Sequence, residues 1–179
     1  MIKIVKYLIV WLSVVSWQIA VNPFLPKSFQ ELNLPLVMVI LFGFVYSKKV
    51  ALIWAIFFAF AFDLYSVMPF GSILFLYVLT LLIVNGVFLK MLTNKSFYSF
   101  CGLLIIASAT FWLVNCVELI LYYFFENHKE QIALIFSASN LYLLFKQIIL
   151  NCFVGVILYF VVNFFSNKFK AVYIDTTRN

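Results

Sequence analysis

Apolar runs separated by short polar or basic breaks make up almost the whole chain. Runs at residues 4–21, 34–47, 50–68, 73–89, 97–123 and 143–165 predict six membrane-spanning helices. They are continuous, without the in–out alternation that a spanning β-barrel requires. The breaks are of three kinds. Residues 22–33 and 124–131 are polar loops, the first with Pro23, Pro26, Lys27, Gln30 and Glu31, the second with Glu126, His128, Lys129 and Glu130. Lys48-Lys49 and residues 90–96 are basic turns, and Ser96 suits the N-cap of the helix that follows. Pro69-Phe70-Gly71 is a tight turn, and residues 167–179 form a basic, polar tail.

Three runs depart from the simple pattern. Residues 34–47 rise only about 20 Å, against a hydrocarbon core of roughly 30 Å. Pro35 fits a first helical turn, and snorkelling of Lys48 and Lys49 would lengthen the effective span. A re-entrant hairpin with the next run is the other solution. Residues 132–165 would rise about 50 Å as one straight helix, more than any bilayer core. A break is therefore expected at Ser137-Ala138-Ser139-Asn140, which makes 132–142 interfacial or re-entrant and leaves 143–165 as the sixth span. The first run starts basic, with Lys3 and Lys6, as a signal peptide does. Trp17-Gln18-Ile19-Ala20 is no small-x-small cleavage site, so a retained span with a cytoplasmic N-terminus is expected.

Composition makes lipid the expected solvent. Hydrophobic residues are 66% of the 179 and charged residues 10%, against roughly 45–50% and about 25% in soluble domains. The net charge of +6 reports topology and not nucleic acid, because the cations cluster at the ends of apolar runs. Lys3, Lys6, Lys48, Lys49, Lys90, Lys95, Lys168, Lys170 and Arg178 fall on one side; Lys27, Lys129 and Lys146 fall on the other. By the positive-inside rule this places both termini in the cytoplasm. The expected fold is an all-α integral membrane protein, a six-helix bundle in one transmembrane domain. The three cysteines, Cys101, Cys116 and Cys152, lie in apolar runs without CxxC spacing and read as small buried hydrophobes.

Three ionisable groups interrupt the apolar runs: Asp63, Glu118 and Lys146. Charged groups inside a span are costly and mark candidate functional positions. Glu118 and Lys146 fall at similar depth near the outer interface, where they either pair or snorkel separately. Asp63 lies about 20 Å above Val50 along its helix. Asn140, Gln147 and Asn151 share one face of the last span, and Asn151 matches Asp63 in depth. A polar cluster of Asp63, Gln147 and Asn151 in the outer half is the sharpest expectation, either gluing helices or lining a cavity. Ala55 and Ala59 form a small-xxx-small pair suited to close helix contact, or simply face lipid. His128 reads as an exposed loop residue. No HExxH, GxSxG, P-loop or CxxC pattern occurs, so neither catalysis nor a cofactor or metal is expected.

Asp63-Leu64-Tyr65-Ser66, closed by Pro69-Phe70-Gly71, resembles the MreD family of bacterial rod-shape proteins. The short first span, Pro35 leading into the second, and the Lys48-Lys49 turn are similar in layout. The chain departs from the family in carrying Ala55 and Ala59 where many members have glycine. The resemblance implies a non-enzymatic component of the cell-elongation machinery in the bacterial cytoplasmic membrane. Its implied partners are membrane lipid, MreC-like and MreB-like proteins and the peptidoglycan synthases. The outer turn with Asp63, Ser66, Pro69 and Gly71 would be the contact surface. The implied fold is similar to the substrate-binding components of energy-coupling-factor transporters. A vitamin-binding subunit of that class is the alternative function, although span one offers only Ser13, Ser16 and Ala20 toward the small-xxx-small motif usual there.

Overall fold

Each helix of the protein starts where a local signal puts it. The computed structural model describes residues 2–27, 29–66, 68–91, 96–125, 130, 132 and 135–165, with backbone alone at 2–7, 88–91 and 165. The basic tail 167–179, residues 92–95 of the second basic turn, and Glu126, His128 and Lys129 of the second polar loop lie outside them. Six α-helices are bounded among the described residues: α1 (Ile2–Ser16), α2 (Leu34–Val45), α3 (Lys48–Asp63), α4 (Ser72–Met91), α5 (Phe97–Phe125) and α6 (Ala138–Phe165). No strand occurs among the described residues. Ser47 caps α3, its hydroxyl accepting from the Val50 amide at 3.3 Å. Ser96 caps α5 in the same way through the Ser99 amide, at 3.2 Å. α1 runs on through one π-helical turn, Trp17–Val21, and a 3₁₀ turn, Asn22–Phe24, which holds Pro23 at its start.

The helices run up and down, each packed on the next from α2 to α6, and both α5 and α6 return to α2. The ends of α1, α3 and α5 therefore share one end of the bundle with the starts of α2, α4 and α6. This is called the distal end here, and the opposite end, with Lys48 and Lys49, the basic end. α2 is the innermost element. It buries Pro35, Leu36, Val37, Val39, Ile40, Leu41 and Phe44, whereas α1 touches α2 and α3 only lightly.

Small residues set the helix spacing. Ala51, Ala55 and Ala59 of α3 recur every four residues and are buried essentially completely, so the Ala55–Ala59 pair faces the core and not lipid. Gly43 of α2 meets this stripe: a Cβ there would lie 3.1 Å from the Ala51 Cβ. Gly155 of α6 is tighter still, because a Cβ would collide with Leu104 of α5 and press on Val37 of α2. At the basic end, Phe44, Phe100 and Tyr159 pack ring on ring, with Phe100 and Tyr159 stacked at 5.2 Å. Large apolar side chains cover the outside of the bundle, among them Phe57, Leu82, Leu113, Ile149, Phe153 and Phe160. Two helices, Phe97–Phe125 and Ala138–Phe164, are long and apolar enough to cross a membrane.

Two predicted boundaries shift. The third apolar run, 50–68, stops being helical at Asp63. The break expected at Ser137-Ala138-Ser139-Asn140 falls at its first residue, between helical Ile135 and the start of α6 at Ala138, so 138–142 belongs to α6. Short polar side chains cap as readily as they interrupt. The Ser137 carbonyl accepts from the Leu141 backbone amide at 3.1 Å, and Asn140 Nδ2 donates to the Ile135 carbonyl at 3.2 Å.

Candidate functional site

The first amides of any helix have no partner within it, and at α4 the chain supplies three of them from nearby. Residues 69–72 form a turn closed by the Ser72 amide donating to the Pro69 carbonyl at 3.1 Å. Gly71 adopts φ +98°, the left-handed backbone that a type II turn demands at its third position. Gly71 is thus the N-cap residue, and its carbonyl accepts from the Phe75 amide at 2.9 Å. A glycine has no side chain to cap the two amides between. Asp63 supplies it from the end of α3: Oδ1 accepts from Ile73 at 2.9 Å and Oδ2 from Leu74 at 3.3 Å. The carboxylate is only 5% exposed, and its charge lies against the positive end of the α4 dipole. One acidic side chain therefore ends α3, starts α4 and fixes the angle between them.

The turn that Asp63 locks is apolar on its outer face. Ser66 steadies its middle, its hydroxyl accepting from the Met68 amide at 3.0 Å. Leu64, Tyr65 and Phe70 project outward, and Phe70 meets Phe60 edge-on at 5.9 Å. Glu118 of α5 approaches from the side. Its carboxylate lies near the Ser72 hydroxyl and Asp63.

A second polar node sits deeper, at the start of α2. Asn33 is the N-cap, and its Oδ1 accepts from the Leu36 amide at 3.1 Å and from the Tyr77 hydroxyl of α4 at 3.0 Å. The Leu34 amide donates to Gln18 Oε1 at 3.3 Å, and Gln18 Nε2 donates to the Leu32 carbonyl at 3.1 Å. Gln18 belongs to the π-helical turn after α1. The Asn33 amide donates to Asn151 Oδ1 of α6 at 3.0 Å, and Asn151 Nδ2 donates to Ser108 Oγ of α5 at 2.9 Å. Asn151 and Ser108 are wholly buried. Five helical segments thus converge on one helix start, which explains how α2 can begin inside the bundle and remain short.

The expected cluster of Asp63, Gln147 and Asn151 does not form. Tyr77 reaches Asn33 from five residues into α4, so the α2 start lies about 7 Å below the start of α4 that Asp63 caps. Each helix start draws its own polar side chain, and the two sets of bonds stay separate. Gln147 is half-buried on α6, a turn nearer the distal end than Asn151, and joins neither set. Glu118 and Lys146 do not pair either. Glu118 lies near Ser72, while Lys146 donates its ammonium to the Lys27 carbonyl. Lys146 thus anchors the first polar loop, which Gln30 also cross-links through the Pro23 and Leu25 carbonyls.

Sequence reasoning passed over Asn33, Gln18, Tyr77 and Ser108. The signal for Asn33 was present: asparagine two residues before a first-turn proline marks a helix start. Nothing in the sequence marked the other three as its partners. No protein-family model, no curated protein and no solved structure matches this chain.

Proposed function

We propose that this chain is a six-span protein of the bacterial cytoplasmic membrane and a non-enzymatic scaffold of cell-wall elongation, similar to the MreD family. The observation that carries the reading is the turn after α3. A buried carboxylate holds two backbone amides, which ties the end of α3 to the start of α4 beside the exposed Leu64, Tyr65 and Phe70. Such a surface suits a protein partner: aromatic anchors on a pre-ordered backbone bind at little cost in ordering. The six-span placement draws support from the two long apolar helices, from the shorter apolar helices Leu34–Val45 and Ser72–Val87, and from the cations gathered at one end. In this orientation the distal end faces outward. The partners are an MreC-like protein at the outer turn, with MreB-like and peptidoglycan-synthase proteins in the wider assembly.

The test is a pull-down from bacterial membranes with the native chain and with Tyr65→Asp combined with Phe70→Asp. The native chain should retain an MreC-like partner, and the double variant should lose at least about tenfold of it, as expected for interface anchors. Undiminished capture by the double variant would move the contact elsewhere. A vitamin-like small molecule retained in stoichiometric amount, with no such partner, would replace the scaffold by a transporter subunit.

A further inference from the structure

The light packing of α1 leaves a cavity of about 500 Å³ between α1, α2 and α3, at the basic end of the bundle. Its wall is formed by Leu8 and Trp11 of α1, Phe42 and Tyr46 of α2, and Ile53 and Phe57 of α3, with Val50 and Trp54 between them. The volume falls in the range of roughly 300–1,000 Å³ typical of small-molecule sites. Among the described residues the lining carries no charged group, which suits an apolar ligand. The segments that lead to it carry cations. Lys49 is exposed and stands one turn before Ile53 on the same face of α3. The sequence puts Lys3 and Lys6 in the part of α1 that precedes Leu8.

We propose that this cavity binds an anionic phospholipid, with one acyl chain among Leu8, Phe42, Ile53 and Phe57 and the phosphate beside Lys49. The proposal rests on the membrane placement given above. It follows that α1 is held to the bundle partly through lipid, and that headgroup charge sets the strength of that hold.

The experiment uses the full chain with Trp17→Phe and Trp112→Phe, so that emission comes from Trp11 and Trp54. The protein is reconstituted in phosphatidylcholine vesicles containing a small, equal fraction of acyl-brominated phosphatidylglycerol or acyl-brominated phosphatidylcholine. Bromine quenches only a tryptophan it approaches closely. The anionic lipid should be preferred, and Lys49→Gln should weaken the preference about fivefold, the expected effect of one surface lysine on an anionic lipid. Val50→Phe, which fills the cavity, should abolish it. Equal quenching by the two lipids in an inserted protein overturns the lipid site alone. So does a preference that survives both variants. A chain released from the vesicles by alkaline carbonate overturns the membrane placement and the lipid site together.

Discussion

Asp63 accepts two amides at once, and this gives its substitutions a definite order. Asp63→Ala removes both bonds and the charge at the α4 N-terminus, and should cost about 1–3 kcal/mol. Asp63→Asn keeps the shape but replaces one acceptor oxygen by a donor nitrogen, so it should fall between native and alanine. Denaturant titration of the purified protein in detergent measures both; an asparagine variant as weak as alanine would mean that charge, not acceptor count, holds the turn. Asn151 is the second test at this scale. Asn151→Ala strips the Asn33 amide of its acceptor and Ser108 of its donor, and should cost about 1–3 kcal/mol. Ser108→Ala should add little on top of it, because the two side chains share one bond. Full additivity in a double-mutant cycle would show that they act independently.

Helix contacts turn on two glycines that look alike in sequence and behave oppositely. Gly155 is pressed against Leu104 and Val37, whereas Gly102 in the second turn of α5 has nothing within 4 Å of an added Cβ. Gly155→Ala should therefore destabilise by about 1–3 kcal/mol through overpacking, and Gly102→Ala should stabilise by about 0.5–1 kcal/mol through helix propensity. Thermal denaturation of both variants in one detergent checks the sign of each. The same contrast shows how far the sequence could be read. The apolar runs and their polar breaks point to the six helices bounded among the described residues, because chain-local signals such as Ser47, Ser96 and Pro35 fix where helices begin. Ala55 and Ala59 announced a close approach by their spacing. The polar partnerships were not legible, because a side chain that caps a helix from another element leaves no trace in local pattern. Asp63 and Asn151 matched in position along their own helices, yet α2 starts below the distal surface and drew Asn151 to itself.

Across the whole bundle, the proposed orientation makes a labelling pattern that no single helix decides. In whole cells, a membrane-impermeant thiol reagent should label a cysteine placed at Tyr65 or Phe70, and should label one at Ser47 or Lys49 only after the membrane is permeabilised. The opposite pattern would invert the bundle and remove the outer turn as a partner surface. The bond between the Asn33 amide and Asn151 spans 118 positions of the chain, and this separation has a consequence for biosynthesis. When the second helix leaves the ribosome, the acceptor for its first turn has not been translated. The nascent protein must carry an incomplete helix start until its last hydrophobic segment emerges, and that segment acts as the latch of the assembly. Pulse-chase of chains stopped before residue 151 should therefore show rapid proteolysis, and supplying the missing helix as a separate polypeptide should slow it.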